Sequence, residues 1–287
     1  MPREPDEPSA KFSSRSMNFS PSKPATAAPL RLVAVAVLFG MLVGLFIALR
    51  HGPGNPPLFS ADFPQQGLVT NEYAYSNPVS PLAKLSPAWE VTSGSLFAQD
   101  GSGWTGVPDR ADPGPRSATS TDSSVFRLRT RRANFENVSV SFQLLLRDFS
   151  ATARTPAEPY DGIHVWLRYQ SPFDLYFASV ARRDGSVVIG KKLPPTASQA
   201  GGGSPAAGGI YFHEVRKPGH VMPLGKWQKI KVTIQNEDSH VVIMMFINGE
   251  EVARLIDKSQ TINKPGAVGI RGDNAEFLFK DFEVHHL

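Results

Sequence analysis

The sequence predicts an all-β domain of two antiparallel sheets packed face to face, preceded by one transmembrane helix. Three observations carry this. Leu30 to Leu49 is an apolar run with no charge beyond Arg31 at its edge. Downstream, many short segments alternate apolar and polar residues with a period of two. With Gly 24 and Pro 25 in 287 residues, the chain has the turn formers that closely spaced strands need.

The apolar run comes first. At about 1.5 Å per residue it spans roughly the 30 Å hydrocarbon core of a bilayer. It shows no polar face, which a helix lying on a soluble domain would have. Arg3, Lys11, Arg15, Lys23 and Arg31 precede its apolar body, whereas Arg50 stands alone until Lys84. This asymmetry places the N-terminus in the cytoplasm and the C-terminal bulk outside the cell membrane, a single-pass topology. A cleaved signal peptide would have a shorter apolar stretch and a small-residue cleavage site. Here Leu49-Arg50-His51-Gly52-Pro53 follows, so the segment is read as a signal anchor. Gly40 and Gly44 form a G-x-x-x-G, a candidate homodimer contact. Residues 1–29, rich in Ser, Pro and Ala, form a disordered cytoplasmic tail, 50–57 a linker, and 58–287 the folded domain.

Charge follows the same division. The sequence pI of about 9.3 invites a nucleic-acid reading. Yet of 30 Lys and Arg and 26 Asp and Glu, six and three lie up to Arg50, leaving 24 and 23 in the remainder. A balanced domain lacks the concentrated basic face that grips phosphates, so nucleic acid is excluded as a partner. The absence of cysteine removes disulfides, thiolate nucleophiles and Cys-based zinc sites.

The strands follow in order. Val125 to Thr130 mostly alternates; Asn137 to Leu144 does so strictly, with Val138, Val140, Phe142 and Leu144 on one face. Asp161 to Tyr169 keeps the same period. Leu175 to Val180 and Ser186 to Lys192 form a hairpin turned by Arg183-Asp184-Gly185. Trp227 to Ile234 and His240 to Ile247 pair through residues 236–239. Asn248-Gly249 is a strong turn signal leading into Glu250 to Ile256. Gly266 to Arg271 and Phe277 to Val284 close the domain, while Pro194 to Gly209 is a long Gly-rich loop. Pro108, Pro113 and Pro115 disfavour a helix between Trp104 and Val125.

The order of these signals is itself informative. Phe59-Ser60-Ala61-Asp62-Phe63 precedes a W-x-V-x-x-G-x-L element from Trp89 to Leu96. Phe135-Glu136-Asn137-Val138 and Asp161-Gly162-Ile163 follow, then Gly225-Lys226-Trp227, Ile247-Asn248-Gly249 and Gly266-Ala267-Val268-Gly269-Ile270-Arg271. Over roughly 58–287 this resembles the concanavalin A-like lectin/glucanase superfamily, closest to its laminin-G-like members and the 3-keto-disaccharide hydrolase group. The resemblance implies a jelly-roll sandwich whose first and last strands pair. It does not by itself imply an activity.

The superfamily's glucanases carry catalytic carboxylates on an E-x-D-x-x-E strand, and no such motif stands here. Ordinary glycan hydrolysis is disfavoured accordingly, since it needs two carboxyls at fixed separation. Glu158, Asp161, Asp174 and Glu214 are either solvated loop carboxylates or a converging set, with Asp161 and Glu214 the catalytic pair if the protein is an enzyme. His213-Glu214 and His220 lack the H-E-x-x-H spacing of a zinc protease. Asp62 and Asp281, near the paired terminal strands, are candidate calcium ligands, though two carboxylates fall short of a full oxygen shell; no other cofactor is expected. Arg271-Gly272-Asp273 reads as a turn between strands, not as an integrin-binding tripeptide.

The strand from Asp161 to Tyr169 places Ile163, Val165 and Leu167 on one face and His164, Trp166 and Arg168 on the other. A Trp between a His and an Arg suits sugar binding, with Tyr176 extending the face. Alternatively, Trp166 packs beneath the 194–209 loop. Trp89, Trp104 and Trp227 read as structural. Three functions stand. The leading one is a membrane-anchored, extracytoplasmic module binding carbohydrate or cell-envelope glycan without catalysis. The second is a glycoside hydrolase of the 3-keto-disaccharide type, with a pocket from Asp161, His164, Arg168 and Glu214. The third is a protein-interaction domain, which a buried Trp166 would favour.

Overall fold

The structure is a computed structural model that describes residues 56–109, 122–195 and 209–287. The expected tail, the anchor at 30–49 with Gly40 and Gly44, most of the linker and most of the 194–209 loop lie outside the described residues. Among the described residues no helix is long and apolar enough to cross a membrane.

In chain order the strands are β1 (Phe59–Ala61), β2 (Gly67–Asn71), β3 (Trp89–Ser93), β4 (Ser95–Gln99), β5 (Ser102–Trp104), β6 (Pro108–Asp109), β7 (Asp122–Ser123), β8 (Val125–Thr130) and β9 (Val138–Phe149). They continue with β10 (Gly162–Ser171), β11 (Asp174–Arg182), β12 (Val187–Leu193), β13 (Ile210–Lys217), β14 (Gln228–Glu237), β15 (His240–Ile247), β16 (Glu250–Asp257), β17 (Ala267–Asp273) and β18 (Ala275–His286). One short helix, α1 (Tyr73–Ser76), follows β2.

Two antiparallel sheets hold nearly all of these strands. The first runs β16-β15-β14-β9-β18-β5-β4-β2, with β1 also on β18; the second runs β13-β12-β11-β10-β17-β8-β3. Strands β1 and β18 pair from Phe59↔Val284 to Ala61↔Phe282, the closure of first on last that the resemblance implies. The arrangement is consistent with a jelly-roll sandwich. The sequence missed β13, because its two faces are unequal and the preceding glycines read as one continuous loop.

Period-two alternation builds the core. Ile163, Val165 and Leu167 of β10 and Val138, Val140, Phe142 and Leu144 of β9 are all buried in one cluster between the sheets. Trp89, as expected, is structural: its ring meets Phe59 at 5.2 Å and Phe282 at 5.1 Å, both edge to face. Each such buried apolar side chain contributes about 1.5–3 kcal/mol by leaving water.

A polar lock crosses this core. The Lys191 ammonium lies 2.8 Å from both carboxylate oxygens of Asp257 and also donates to the Ser259 carbonyl. Tyr176 donates to Asp257 Oδ2 at 2.6 Å, and its own oxygen accepts from the Ile262 amide at 3.2 Å. Burial, reinforced by that carboxylate, pushes the Tyr176 phenol well above its ordinary pKa. Strands β11 and β12 of one sheet are thereby tied to β16 of the other.

One glycine is dictated by geometry. Gly162 opens β10 at φ +145°, and a Cβ there would sit 1.8 Å from the Ala181 carbonyl oxygen. That backbone region is essentially closed to side chains, and the obstructing atom is backbone too. Gly162→Ala is therefore expected to cost at least about 1–3 kcal/mol from strain alone. Urea unfolding of residues 58–287 checks this; an unchanged midpoint would remove the assignment. The domain suits such a measurement, since Asn55–Leu287 forms one compact unit with its own core.

Candidate functional site

The outer face of the seven-stranded sheet gathers polar and aromatic side chains from six neighbouring strands. Strand alternation does the selecting. β8 supplies Arg127, β10 supplies His164, β11 supplies Phe177 and Ser179, β12 supplies Lys192, β13 supplies Tyr211 and His213, and β17 supplies Arg271 and Asp273. Register aligns His164 with Arg271 on one side and Ser179 on the other, while Arg271 aligns with Arg127.

Asp273 lies at the centre. Arg271 donates to its Oδ1 from Nε at 3.0 Å and from Nη2 at 2.9 Å. His164 Nε2 lies 3.2 Å from Asp273 Oδ2, and Nδ1 is 2.7 Å from Ser179 Oγ. A carboxylate only accepts, so Nε2 carries the ring proton and Nδ1 accepts from the serine hydroxyl. Burial lowers the His164 pKa despite Asp273, which keeps the imidazole neutral at pH 7. Burial alone would raise the Asp273 carboxyl, but Arg271 and His164 hold it far below the usual carboxylate range.

Tyr211, 45% exposed, is with His213 the accessible part of the cluster. Its hydroxyl accepts from Arg271 Nη1 at 3.1 Å, and the Lys192 ammonium lies 4.7 Å from its ring centre. Burial pulls the phenol upward, yet Arg271 and Lys192 together bring it below its ordinary pKa. His213 lies parallel to the Tyr211 ring at 6.2 Å and edge-on to Phe177 at 5.8 Å. Partial burial, with Arg182 and Arg216 nearby, lowers its pKa as well. The result is an aromatic rim around a charged centre, with the Tyr211 phenol lowered in pKa by its two cations.

The residues singled out from sequence divide sharply. His164 lies in this cluster. Trp166 faces the same side but is buried, stacked on Tyr169 at 5.1 Å and packed with Leu175, Phe177 and Val188. It offers no bare ring to a sugar. Arg168 departs from expectation: the β10–β17 register breaks between Trp166 and Tyr169, and Arg168 takes φ 47°. The bulge swings it inward, where Nη1 donates to Asn236 Oδ1 and to the Ile262 carbonyl, both at 2.8 Å. Tyr176 also faces the core, in the Asp257 lock, and Phe177 takes the outward position beside Trp166.

The carboxylates do not converge. Asp161 is buried and accepts from the Glu158 amide at 2.9 Å, Asn274 Nδ2 at 3.0 Å and Arg183 Nε at 3.3 Å, tying loops together. Glu214 is exposed, 3.8 Å from Lys191. The pocket expected from Asp161, His164, Arg168 and Glu214 is thus replaced by the Asp273 cluster. Asp281 accepts from Gln143 at 2.5 Å, and Asp62 is exposed. Among the described residues no three His, Asp or Glu side chains group closely enough to hold a metal ion. Arg271-Gly272-Asp273 is not a turn but the end of β17, its two charged side chains paired on one face. Trp104 is anchored through Nε1 to Glu276 at 3.0 Å. Arg127, Tyr211, Arg271 and Asp273 were missed as site residues. Their period-two placement, arginines alternating with Phe126 and Leu128 and Tyr211 with Phe212, was the available signal.

A family model described as a 3-keto-alpha-glucoside-1,2-lyase-like domain matches residues 92–285, more than half of the chain and all of the cluster. No curated protein matches the sequence. Among solved structures, an endo-1,3-beta-glucanase from Streptomyces sioyaensis is similar at 12% identity and TM-score 0.44, covering 81% of this chain and 98% of that one. A prokaryotic beta-1,3-1,4-glucanase from a mouse hindgut metagenome is similar at 13% identity and TM-score 0.46, covering 70% and 94%. The exoplasmic/lumenal domain of VIP36, bound to Ca2+ and Man3GlcNAc, is similar at 6% identity and TM-score 0.43, covering 69% and 84%.

Proposed function

The chain belongs to the 3-keto-alpha-glucoside-1,2-lyase-like domain family, and on that premise we propose that the outer face of its seven-stranded sheet binds a 3-keto-glucoside and cleaves it by elimination. The observation that carries this is Tyr211, an accessible phenol whose pKa is lowered between Arg271 and Lys192. A carbonyl at C3 acidifies the hydrogen on C2. The Tyr211 phenolate takes that proton, and the electron pair left behind forms the C1=C2 double bond as the C1–O bond to the leaving group breaks. The phenol then returns its proton to the departing oxygen, which leaves as an alcohol. Arg271 and Lys192 stabilise negative charge on the phenolate and on the enolate oxygen. Asp273 and His164 hold Arg271 in place. No pair of carboxylates is needed, which accords with the missing E-x-D-x-x-E strand.

The soluble domain, residues 58–287, incubated with a 3-keto-glucoside tests this. The expected result is release of the alcohol together with the ultraviolet absorbance of a conjugated enone. Absence of both at saturating substrate would end the elimination reading.

A second reading is glycan binding without catalysis, favoured by the exposed rim of Tyr211 and His213. Binding of the keto-sugar without product would select it. Protein interaction, the third reading, rests on the burial of Trp166 alone.

The domain is proposed to work outside the cytoplasm, held by the anchor at 30–49 and its flanking charges, with Gly40 and Gly44 as the proposed dimer contact. Carbonate extraction should leave the full-length chain in membranes and release residues 58–287; release of both would remove the anchor.

A further inference from the structure

The charges around the Asp273 cluster are not matched. Arg127 and Arg271 stand side by side in register on β8 and β17. Burial and the Arg271 charge both lower the Arg127 pKa, so this guanidinium is partly stripped of water beside a like charge. The nearby acids are already engaged. Asp273 takes Arg271 and His164, Glu90 takes Arg129 and Arg131, and Asp184 takes Arg182 and Arg216. Among the described residues no hydrogen bond or ion pair reaches the Arg127 guanidinium, and Lys192 adds a third cation to the same face. Two neighbouring cations sharing one carboxylate is an unfavourable arrangement for an empty site, and an anion placed between them would relieve it.

Resting on the reading that this face takes a sugar, we propose that the sugar carries a fixed negative charge, a hexuronate-type carboxylate bound between Arg127 and Arg271. The planar guanidinium fork matches a carboxylate with two parallel hydrogen bonds. A neutral glucoside would leave Arg127 unanswered. The transient enolate has Lys192 and Arg271 beside Tyr211 to stabilise it, so Arg127 is free for a permanent charge.

Calorimetric titration of the full-length protein in non-ionic detergent tests this with two probes differing only at C6, 4-nitrophenyl glucuronide and 4-nitrophenyl glucoside of the same anomer. The glucuronide is expected to bind about ten-fold tighter or more, as charge-assisted hydrogen bonds imply. That advantage should shrink as salt rises from about 50 to about 500 mM. Arg127→Met, which keeps most of the side-chain length, should abolish the preference and not lower the thermal midpoint. Equal affinity for the two probes, or a preference that survives Arg127→Met, would overturn the proposal. So would binding of glucose 6-phosphate without the glucuronide. Turnover of a neutral 3-keto-glucoside alongside equal probe affinities would end this inference and leave the elimination reading standing. An Arg127-dependent glucuronide preference without any turnover would do the reverse.

Discussion

Tyr211→Phe is expected to reduce turnover of a 3-keto-glucoside by about 10²–10⁴-fold, the usual contribution of a positioned proton-transfer group. Stability should change little, because the hydroxyl lies at a half-exposed rim and its loss leaves Arg271 still paired with Asp273. The pH profile separates a chemical role from a structural one. A general base works when deprotonated, so the wild-type rate should rise with pH through the lowered pKa of Tyr211, at a pH below that of an ordinary phenol. Phe has no such group, and that limb should vanish in the variant. Arg271→Lys keeps one charge but loses the fork; it should move the limb upward, because the phenolate is then less well stabilised. A Tyr211→Phe enzyme with an unchanged profile would show that the proton passes elsewhere.

Asp257→Ala is expected to have the largest effect on stability, about 3–5 kcal/mol. The substitution leaves the Lys191 ammonium buried with only the exposed Glu214 carboxylate at 3.8 Å, and the Tyr176 hydroxyl without its acceptor. For a domain of this size each kcal/mol shifts the thermal midpoint by about 2–4 °C, so a fall on the order of 10 °C should be visible. Removing both charges is a different experiment. Asp257→Leu combined with Lys191→Met takes away the cost of desolvating the pair along with its attraction, and should restore much of the loss. A double variant as unstable as Asp257→Ala would mean that packing, not the orphaned ammonium, carries the effect.

Sequence alternation made the sandwich legible. Val138 to Leu144 and Ile163 to Leu167 lie on the core faces that their period-two pattern assigns. The same logic failed at Arg168, because a bulge adds a residue to one strand without any mark in composition. One irregularity therefore removed both Arg168 and the notion of a His-Trp-Arg face. Tyr176 misled for another reason: a tyrosine on a core face needs a buried acceptor, and its acceptor Asp257 lies 81 positions away in sequence. The Asp273 cluster was hidden by its components. Arg271-Gly272-Asp273 looks like a turn until its neighbours show that it continues a strand, and Tyr211 follows a glycine-rich stretch that masks where β13 begins. Long-range pairing, absent from local pattern, decides each of these cases.

The pairing of β1 with β18 has a consequence for how the molecule is made. The final strand lies between β9 and β5 in the middle of its sheet, and it also carries the first strand. The N-terminal strands β2-β4-β5 and β3-β8 can pair among themselves, but they join the rest of their sheets only through β18 and β17. Such non-local order makes folding slow and leaves unpaired strand edges exposed for longer.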